Sequence, residues 1–453
     1  MKAPVIYKTA KGTQDFDPRR AAQRQKLVDI FKSKAELYGA RPLFTPAIER
    51  LDVLMEKYGE DSDKQIFTLT GESESTTNGT QTKEETQTKE TTTKEETALR
   101  YDLTVPFARW VKTNNIRKIK RYSVGQVWRR DQPNIKAGRY REFLQVDYDR
   151  LGDSDTVFTD AETLSLLRST LADFELPKNF IIRINTRENL WSMLEYVGIE
   201  EDKFVDVSRV IDKLDKRKWK ALVPELEELG VSDESIEMLK NVMIQWGKPL
   251  PYGEWVQNVP FVDLAYFQQL FSYLEMFGNT DSFRIDLSLA RGLNYYTGVI
   301  FEVILEKSKN TGSIAGGGRY DKLCDAPCVG FSIGIDRIMT VMKPISKRSF
   351  NPTVWVTQID KTLDSDTIQR LYQYRLETVV KLRNKGISSD TEARIEAGFG
   401  PQLKYVLKNS IPYVVFLGLT ELQNNTVTLK DMDAEIQYDS ITIETAMSYI
   451  RNE

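Results

Sequence analysis

Trp128-Arg129-Arg130-Asp131 and, after a polar loop, Arg139-Tyr140-Arg141-Glu142-Phe143-Leu144-Gln145-Val146-Asp147 are the residues on which the fold turns. They read as two antiparallel strands joined by a basic loop. In that arrangement Arg129 and Arg139 can converge on phosphates, and Phe143 offers a ring for an adenine. The block lies at the end of a wider basic strip, because residues 109 to 141 hold eleven Lys or Arg against one acid, Asp131. Trp110, Tyr122, Trp128 and Tyr140 are interleaved with these charges. The strip suits phosphate and base contacts, or else forms the solvated cationic face of a hairpin.

Outward from this block, the 453 residues are 40% hydrophobic and 28% charged, an ordinary globular composition for two to four domains. No apolar run approaches the roughly 20 residues that span a bilayer, and the start, Met1-Lys2-Ala3-Pro4-Val5, has no apolar signal core. A cytoplasmic protein without membrane contact is expected. Cys324 and Cys328 cannot build a disulfide framework, make a poor zinc site without other sulfur or imidazole ligands, and are expected to be buried thiols. There is no histidine at all. That excludes a Ser-His-Asp triad, a Cys-His pair, His-ligated zinc and an imidazole base, so any catalysis runs on arginines, carboxylates, tyrosines, backbone dipoles, a cation or the substrate.

Asp17-Pro18 predicts a helix start, with Leu27, Ile30, Phe31 and Ala35 on one side and Gly39 at the end. A strand is expected over 42–46, then a helix carrying Leu51, Leu54 and Met55. Residues 72–97 are almost wholly Thr, Glu, Lys, Gln, Ser, Asn and Gly, with Thr-Lys-Glu-Glu-Thr at 82–86 and again at 93–97. Such a stretch has nothing to bury and reads as a disordered insert. Its seven Glu and three Lys give −4, so the remainder of a chain of net charge −3 is nearly neutral. Residues 196–276 have helical periodicity. Strands are expected at 283–287, 297–305 and 329–335. After the linker 343–352, alternating strand and helix patterns predict a compact α/β domain.

The arginine block resembles motif 2 of the class II aminoacyl-tRNA synthetases. Motif 1, ending at Pro46, and motif 3, Gly330-Phe331-Ser332-Ile333-Gly334-Ile335-Asp336-Arg337, follow in the right order. Leu99-Arg100-Tyr101-Asp102-Leu103-Thr104-Val105-Pro106 and Arg291-Gly292-Leu293-Asn294-Tyr295-Tyr296-Thr297-Gly298 make the chain similar to the histidyl-tRNA synthetase family, of the eukaryotic cytosolic type. So do Lys11 to Asp15 and Gly316-Gly317-Gly318-Arg319-Tyr320-Asp321. The resemblance implies an α/β (α+β) fold. Its parts are a catalytic core over 1–195 and 277–345 with an antiparallel sheet flanked by helices, a helical insertion over 196–276, and an anticodon-binding domain over 351–453.

The resemblance also implies a reaction: histidine is joined to ATP with release of pyrophosphate, then passed to tRNA(His), with Mg²⁺ assisting, by a homodimer. A carboxylate is an ionised nucleophile at neutral pH, so the missing imidazole base is no obstacle. By family position Arg129 and Arg291 act at the α-phosphate, Arg139 and Arg337 hold the outer phosphates, and Phe143 lies under the adenine. Asp102, Thr104 and Gln145 surround the ammonium of histidine. Asp149 and Tyr296 read its imidazole, with Tyr295 and Tyr320 lining the pocket. Asn294 and Asp336 stand where the family usually has Asp and Glu. A regulatory paralogue without activity, or a synthetase for threonine, proline or glycine, are the alternatives. The retained Arg129, Arg291 and Arg337 speak against the first, and Tyr295-Tyr296 against the second.

Overall fold

The computed structural model describes residues 7–58, 65–69, 96–215, 217–251, 259–278, 280–290, 295–306, 312–359, 363–395 and 398–451. The chain divides into two units: residues 1–15 with 24–343, and residues 16–23 with 344–453.

The first helix, α1 (Pro18–Leu37), begins as the sequence predicts: the Asp17 carboxylate accepts the Arg20 N–H at 2.8 Å, and Pro18 fills the first helical position, where no N–H is needed. The larger unit is organised by an eight-stranded sheet. Its strands are β1 (Arg41–Pro42), β5 (Ile119–Trp128), β6 (Glu142–Leu151), β7 (Phe180–Thr186), β8 (Phe283–Ile285), β9 (Val299–Leu305), β10 (Ala315–Arg319) and β11 (Cys328–Gly334), in the order β1-β5-β6-β11-β10-β9-β7-β8. Three further strands, β2 (Ile48–Arg50), β3 (Phe67–Leu69) and β4 (Thr97–Leu99), make a small separate sheet in the order β2-β4-β3. In the large sheet the outermost pairs, β1 with β5 and β7 with β8, are parallel; every other pair is antiparallel.

Two expectations change here. The strand expected over 42–46 ends at Pro42, because prolines at 42 and 46 donate no ladder hydrogen bond. The low-complexity insert expected to run to Thr97 stops earlier: Glu96 O accepts from Leu51 N at 2.8 Å, and Thr97 opens β4, paired with Arg50 and Leu69. Its remaining residues, 72–95, lie outside the described residues.

Strand alternation gives the large sheet two unlike faces. On β6, Leu144, Val146 and Tyr148 point one way, where Tyr148 stacks on Phe331 at 5.6 Å and Phe31 of α1 meets Tyr122 and Phe331 edge-on at 6.1 and 6.4 Å. Helix α4 (Thr156–Asp173) packs on β6 and β11, with Leu164, Leu167 and Leu171 fully buried. Phe143, Gln145, Asp147 and Asp149 point the other way. The 196–276 stretch carries the helices Phe204–Ile211, Val223–Glu228, Asp233–Trp246 and Leu264–Met276.

The second unit has a five-stranded sheet, ordered Ser389–Thr391, Val354–Gln358, Tyr413–Leu417, Val427–Asp431, Gln437–Ile441; its first three strands are parallel and its last two antiparallel. Val354, Val356, Leu371, Leu382, Val415 and Leu429 form its core, with Ser365–Asn384 and Ile443–Arg451 as two of its helices.

Candidate functional site

The polar face of the sheet carries two groups of side chains. At the loop end of the β5–β6 hairpin, Arg129 lies 4.2 Å over the Tyr101 ring and 5.3 Å from that of Phe143. The hairpin loop folds against the helix after β11: Gly138 adopts φ +66°, and a side chain there would meet the Arg337 Cα at 3.1 Å. This close approach brings Arg129, Arg139 and Arg337 within electrostatic reach of one another. Burial, then Arg139 and Arg129, push the Arg337 guanidinium down to about 10. Arg337 also donates to the carbonyl of Ser313. Three guanidiniums sharing one end of a sheet face are suited to a polyanion.

Further along β6 the register places Ser123, Asp147 and Ser332 side by side, and next to them Arg121, Asp149 and Gly330. Asp149 is held from two sides: Arg121 Nη2 stands 2.6 Å from its Oδ2, and the Tyr320 hydroxyl donates to its Oδ1. Burial raises its pKa, against the pull of Arg121. Arg121 is 1% exposed, lies 4.4 Å over the Phe107 ring and donates to Leu103 O at 3.0 Å. Tyr295 contacts both Tyr296 and Tyr320, with ring centroids 4.9 and 6.0 Å apart. The Tyr296 ring fits only because position 318 is glycine, where any Cβ would meet it at 2.8 Å.

Asp102 caps helix α3 (Thr104–Thr113), its Oδ1 accepting from the N–H groups of Thr104 and Val105 at 3.0 Å each. Thr104 and Gln145 are buried, and Gln145 Oε1 has no hydrogen-bond partner among the described residues. The structure thus groups Arg129, Arg139, Phe143 and Arg337 at one end, and Asp149, Tyr295, Tyr296 and Tyr320 at the other. Asp102, Thr104 and Gln145 are buried with the second group. Arg291 and Asn294 lie outside the described residues.

Sequence inspection passed over three residues. Arg100 is buried, donates to Gln126 O and Thr45 O at 2.8 and 2.7 Å, and interacts with Asp147 and Asp102. Arg121 was counted with the basic strip but belongs to the interior. Asp147 is 1% exposed on the site face. Alternation from Gln145 was the signal that could have found Asp147. Part of the basic strip is compensated: Arg109 pairs with Glu49, Lys112 with Asp325, Lys118 with Asp153 and Lys120 with Glu162. Asp336, the motif 3 departure, is a structural residue: it takes Arg24 Nε at 2.8 Å and the Leu144 N–H at 3.0 Å. Both cysteines are buried free thiols.

A sequence model described as histidyl-tRNA synthetase matches residues 71–338, and one described as an anticodon-binding domain matches 354–453. The chain is 34% identical to the cytoplasmic histidine–tRNA ligase of Dictyostelium discoideum, over 94% of its own length and 87% of that protein. It is also 34% identical to the mitochondrial histidine–tRNA ligase of Bos taurus, over 95% and 85%. In fold it is similar to the crystal structure of histidyl-tRNA synthetase from Nostoc sp. PCC 7120, at a TM-score of 0.75, with 24% identity and 99% and 100% of the two chains covered.

Proposed function

Because the chain belongs to the histidyl-tRNA synthetase family, we propose that its described site residues divide the reaction between a phosphate end and an amino-acid end of one sheet face. The enzyme ligates L-histidine to tRNA(His), through a histidyl-adenylate formed from ATP. The observation that carries the assignment of roles is the three-guanidinium cluster at one end of β6, with Gln145, Asp149 and Tyr320 further along the same face.

In the first step the histidine carboxylate forms a bond to the α-phosphorus while the bond to pyrophosphate breaks. No proton is removed, so the protein's work is positioning and charge compensation. Arg129 holds the α-phosphate and the carboxylate, with its guanidinium set by Tyr101 and Phe143. Arg139 and Arg337 take the outer phosphates, and Phe143 lies under the adenine. Arg291 completes the α-phosphate contacts by family position. Asp102, Thr104 and Gln145 receive the ammonium. Asp149, oriented by Arg121 and Tyr320, reads the imidazole together with Tyr296, and Tyr295 closes the pocket wall. A buried site that hydrogen-bonds both ring nitrogens rejects amino acids lacking them, since its own polar groups would be left unpaired. In the second step the tRNA ribose hydroxyl attacks the adenylate, and its proton passes to the departing phosphate.

No group of three or more Cys, Asp or Glu able to hold a metal occurs among the described residues. Arg139 and Arg337 would share the charge of the ATP phosphates with Mg²⁺, which would supply further charge neutralisation when bound with the nucleotide. The working particle is a homodimer, with the exposed Phe44 (64%) and its neighbours to Pro46 in the contact. The core comprises 1–195 and 277–345, the helical insertion 196–276 and the anticodon-reading domain 351–453. We propose the eukaryotic cytosolic type and action in the cytoplasm, on the motifs shared with the cytoplasmic relative. Charging of a tRNA(His) transcript with labelled histidine, beside transcripts for threonine, proline and glycine, tests the assignment. Label on the first alone is the expected result.

A further inference from the structure

The pocket tyrosines are anchored from the opposite face of the sheet. At the end of β10 the side chains alternate: Tyr320 reaches Asp149 on the site face, while Arg319, its neighbour, points to the helix side. Arg319 is 5% exposed. Its Nη2 donates to Asp160 Oδ1 at 2.5 Å, Thr159 Oγ1 at 2.7 Å and Thr156 O at 2.9 Å, all on α4. The backbone beside it ties the two tyrosine segments together, because Thr297 N–H donates to Arg319 O at 2.7 Å and Asp321 N–H to Thr297 Oγ1 at 3.0 Å. Gly298 lies against the arginine stem, where a Cβ would meet Arg319 Cδ at 3.1 Å. Asp160, 1% exposed, has a second partner: the Tyr266 hydroxyl donates to its Oδ2 at 3.0 Å. Tyr266 comes from the helix Leu264–Met276 of the 196–276 stretch, which packs on α4. Burial pushes the Asp160 carboxyl up to about 6, with Arg319 and Tyr266 working against that push. A buried carboxylate keeps its charge, and so its hold on a guanidinium, only through such bonds.

We propose that Tyr266 is a positioning residue for histidine recognition: its hydroxyl steadies Asp160, Asp160 holds Arg319, and Arg319 fixes the chain segments that present Tyr320 and Tyr296 to the imidazole. The proposal rests on the assignment of the site face to histidine. It gives the helix Leu264–Met276 a part in amino-acid binding from the far side of the sheet, without contact with the substrate. The effect is confined to one end of the site. Arg129, Arg139, Phe143 and Arg337 lie at the other end, and none of them bonds to Arg319, so the nucleotide contacts are left as they are. Loss of the Tyr266 hydroxyl leaves Asp160 with a weaker hold on Arg319. The imidazole-reading tyrosines then sample more positions, and histidine binds less tightly while ATP does not.

The test is Tyr266→Phe in the full-length protein, which removes one oxygen and keeps the ring. In ATP–pyrophosphate exchange it is expected to raise the KM for histidine about fivefold or more, with the KM for ATP within about twofold of wild type. Equilibrium dialysis of histidine without ATP is expected to show the same loss of affinity. Tyr273→Phe is the control. The Tyr273 hydroxyl donates to Asp155 Oδ2 at 3.1 Å and so joins the same two helices, but Asp155 is not a partner of Arg319. Its KM for histidine is expected to stay within about twofold, as for loss of an exposed hydrogen bond away from the relay. An unchanged KM for histidine in Tyr266→Phe overturns the inference, as do a joint rise in the KM for both substrates and an equal effect of the two variants. Should Tyr266→Phe not fold, Thr159→Val decides in its place: it removes the 2.7 Å anchor of the same guanidinium and is expected to give the same split between histidine and ATP. Wild type without histidine-dependent exchange refutes instead the assignment of the face.

Discussion

Replacing Arg121 by Met probes the interior of the site without touching a phosphate contact. The side chain is wholly buried, and Met fills much the same volume. What disappears is the 2.6 Å ion pair to Asp149, the 3.0 Å hydrogen bond to Leu103 O and the stacking 4.4 Å over Phe107. Breaking a buried pair from one side costs about 3–5 kcal/mol when the remaining charge must persist. Asp149 has an escape, because burial already raises its pKa and the loss of Arg121 raises it further. A raised carboxylate keeps its proton in the folded state while the unfolded chain, titrating near 4, has released it. Stability from this source is therefore full below about pH 4 and lost as pH rises through the folded value. The variant extends that window upward. Its deficit against wild type should be smallest at the acid end of a series from pH 5.5 to 8.5 and grow toward about 3–5 kcal/mol at the alkaline end, where keeping the proton on Asp149 costs most. Urea unfolding of the two proteins across this range, followed by tryptophan fluorescence, measures the difference. A deficit that is flat with pH, or that shrinks as pH rises, would refute the coupling of Arg121 to Asp149.

Other outcomes follow from the same geometry. Arg129→Ala should slow adenylate formation by at least a hundredfold in single-turnover measurements, and Arg129→Lys should restore little, since a point charge does not reproduce a planar fork. Phe44→Asp should shift the sedimentation of the active protein from dimer toward monomer; an unchanged dimer would place the interface elsewhere. Deleting residues 73–95 should leave the pyrophosphate-exchange rate within about threefold, because a polar repeat adds no core and loop closure depends weakly on length. A larger loss would give the insert a role at the site or on tRNA.

Local pattern carried much of the fold. Asp17-Pro18 announced α1, Gln145-Val146-Asp147-Tyr148-Asp149 alternated as a strand with one polar face, and Tyr413 to Leu417 became a strand with the expected bounds. Family motifs then pointed to most of the proposed site residues, because motif residues such as Arg129 and Tyr320 keep fixed places along the chain. The missing part depends on register. That Arg121 faces Asp149 follows from the pairing of Ile119 with Leu151, which is set by the hairpin and not by either strand alone. Counted along the chain, Arg121 is one charge in a basic strip; placed in the sheet, it is the buried partner of Asp149. Asp336 is similar, since its partner Arg24 lies 312 residues away and leaves no trace near motif 3. The strand expected through Pro46 failed for a local reason, proline's missing donor.

The most direct test of the central claim is ATP–pyrophosphate exchange by the purified full-length protein with each of the twenty amino acids in turn. Exchange supported by histidine, at least a thousandfold above threonine, proline and glycine and abolished in Tyr296→Ala, is the predicted result. Exchange with another amino acid, or none with histidine, would contradict the account.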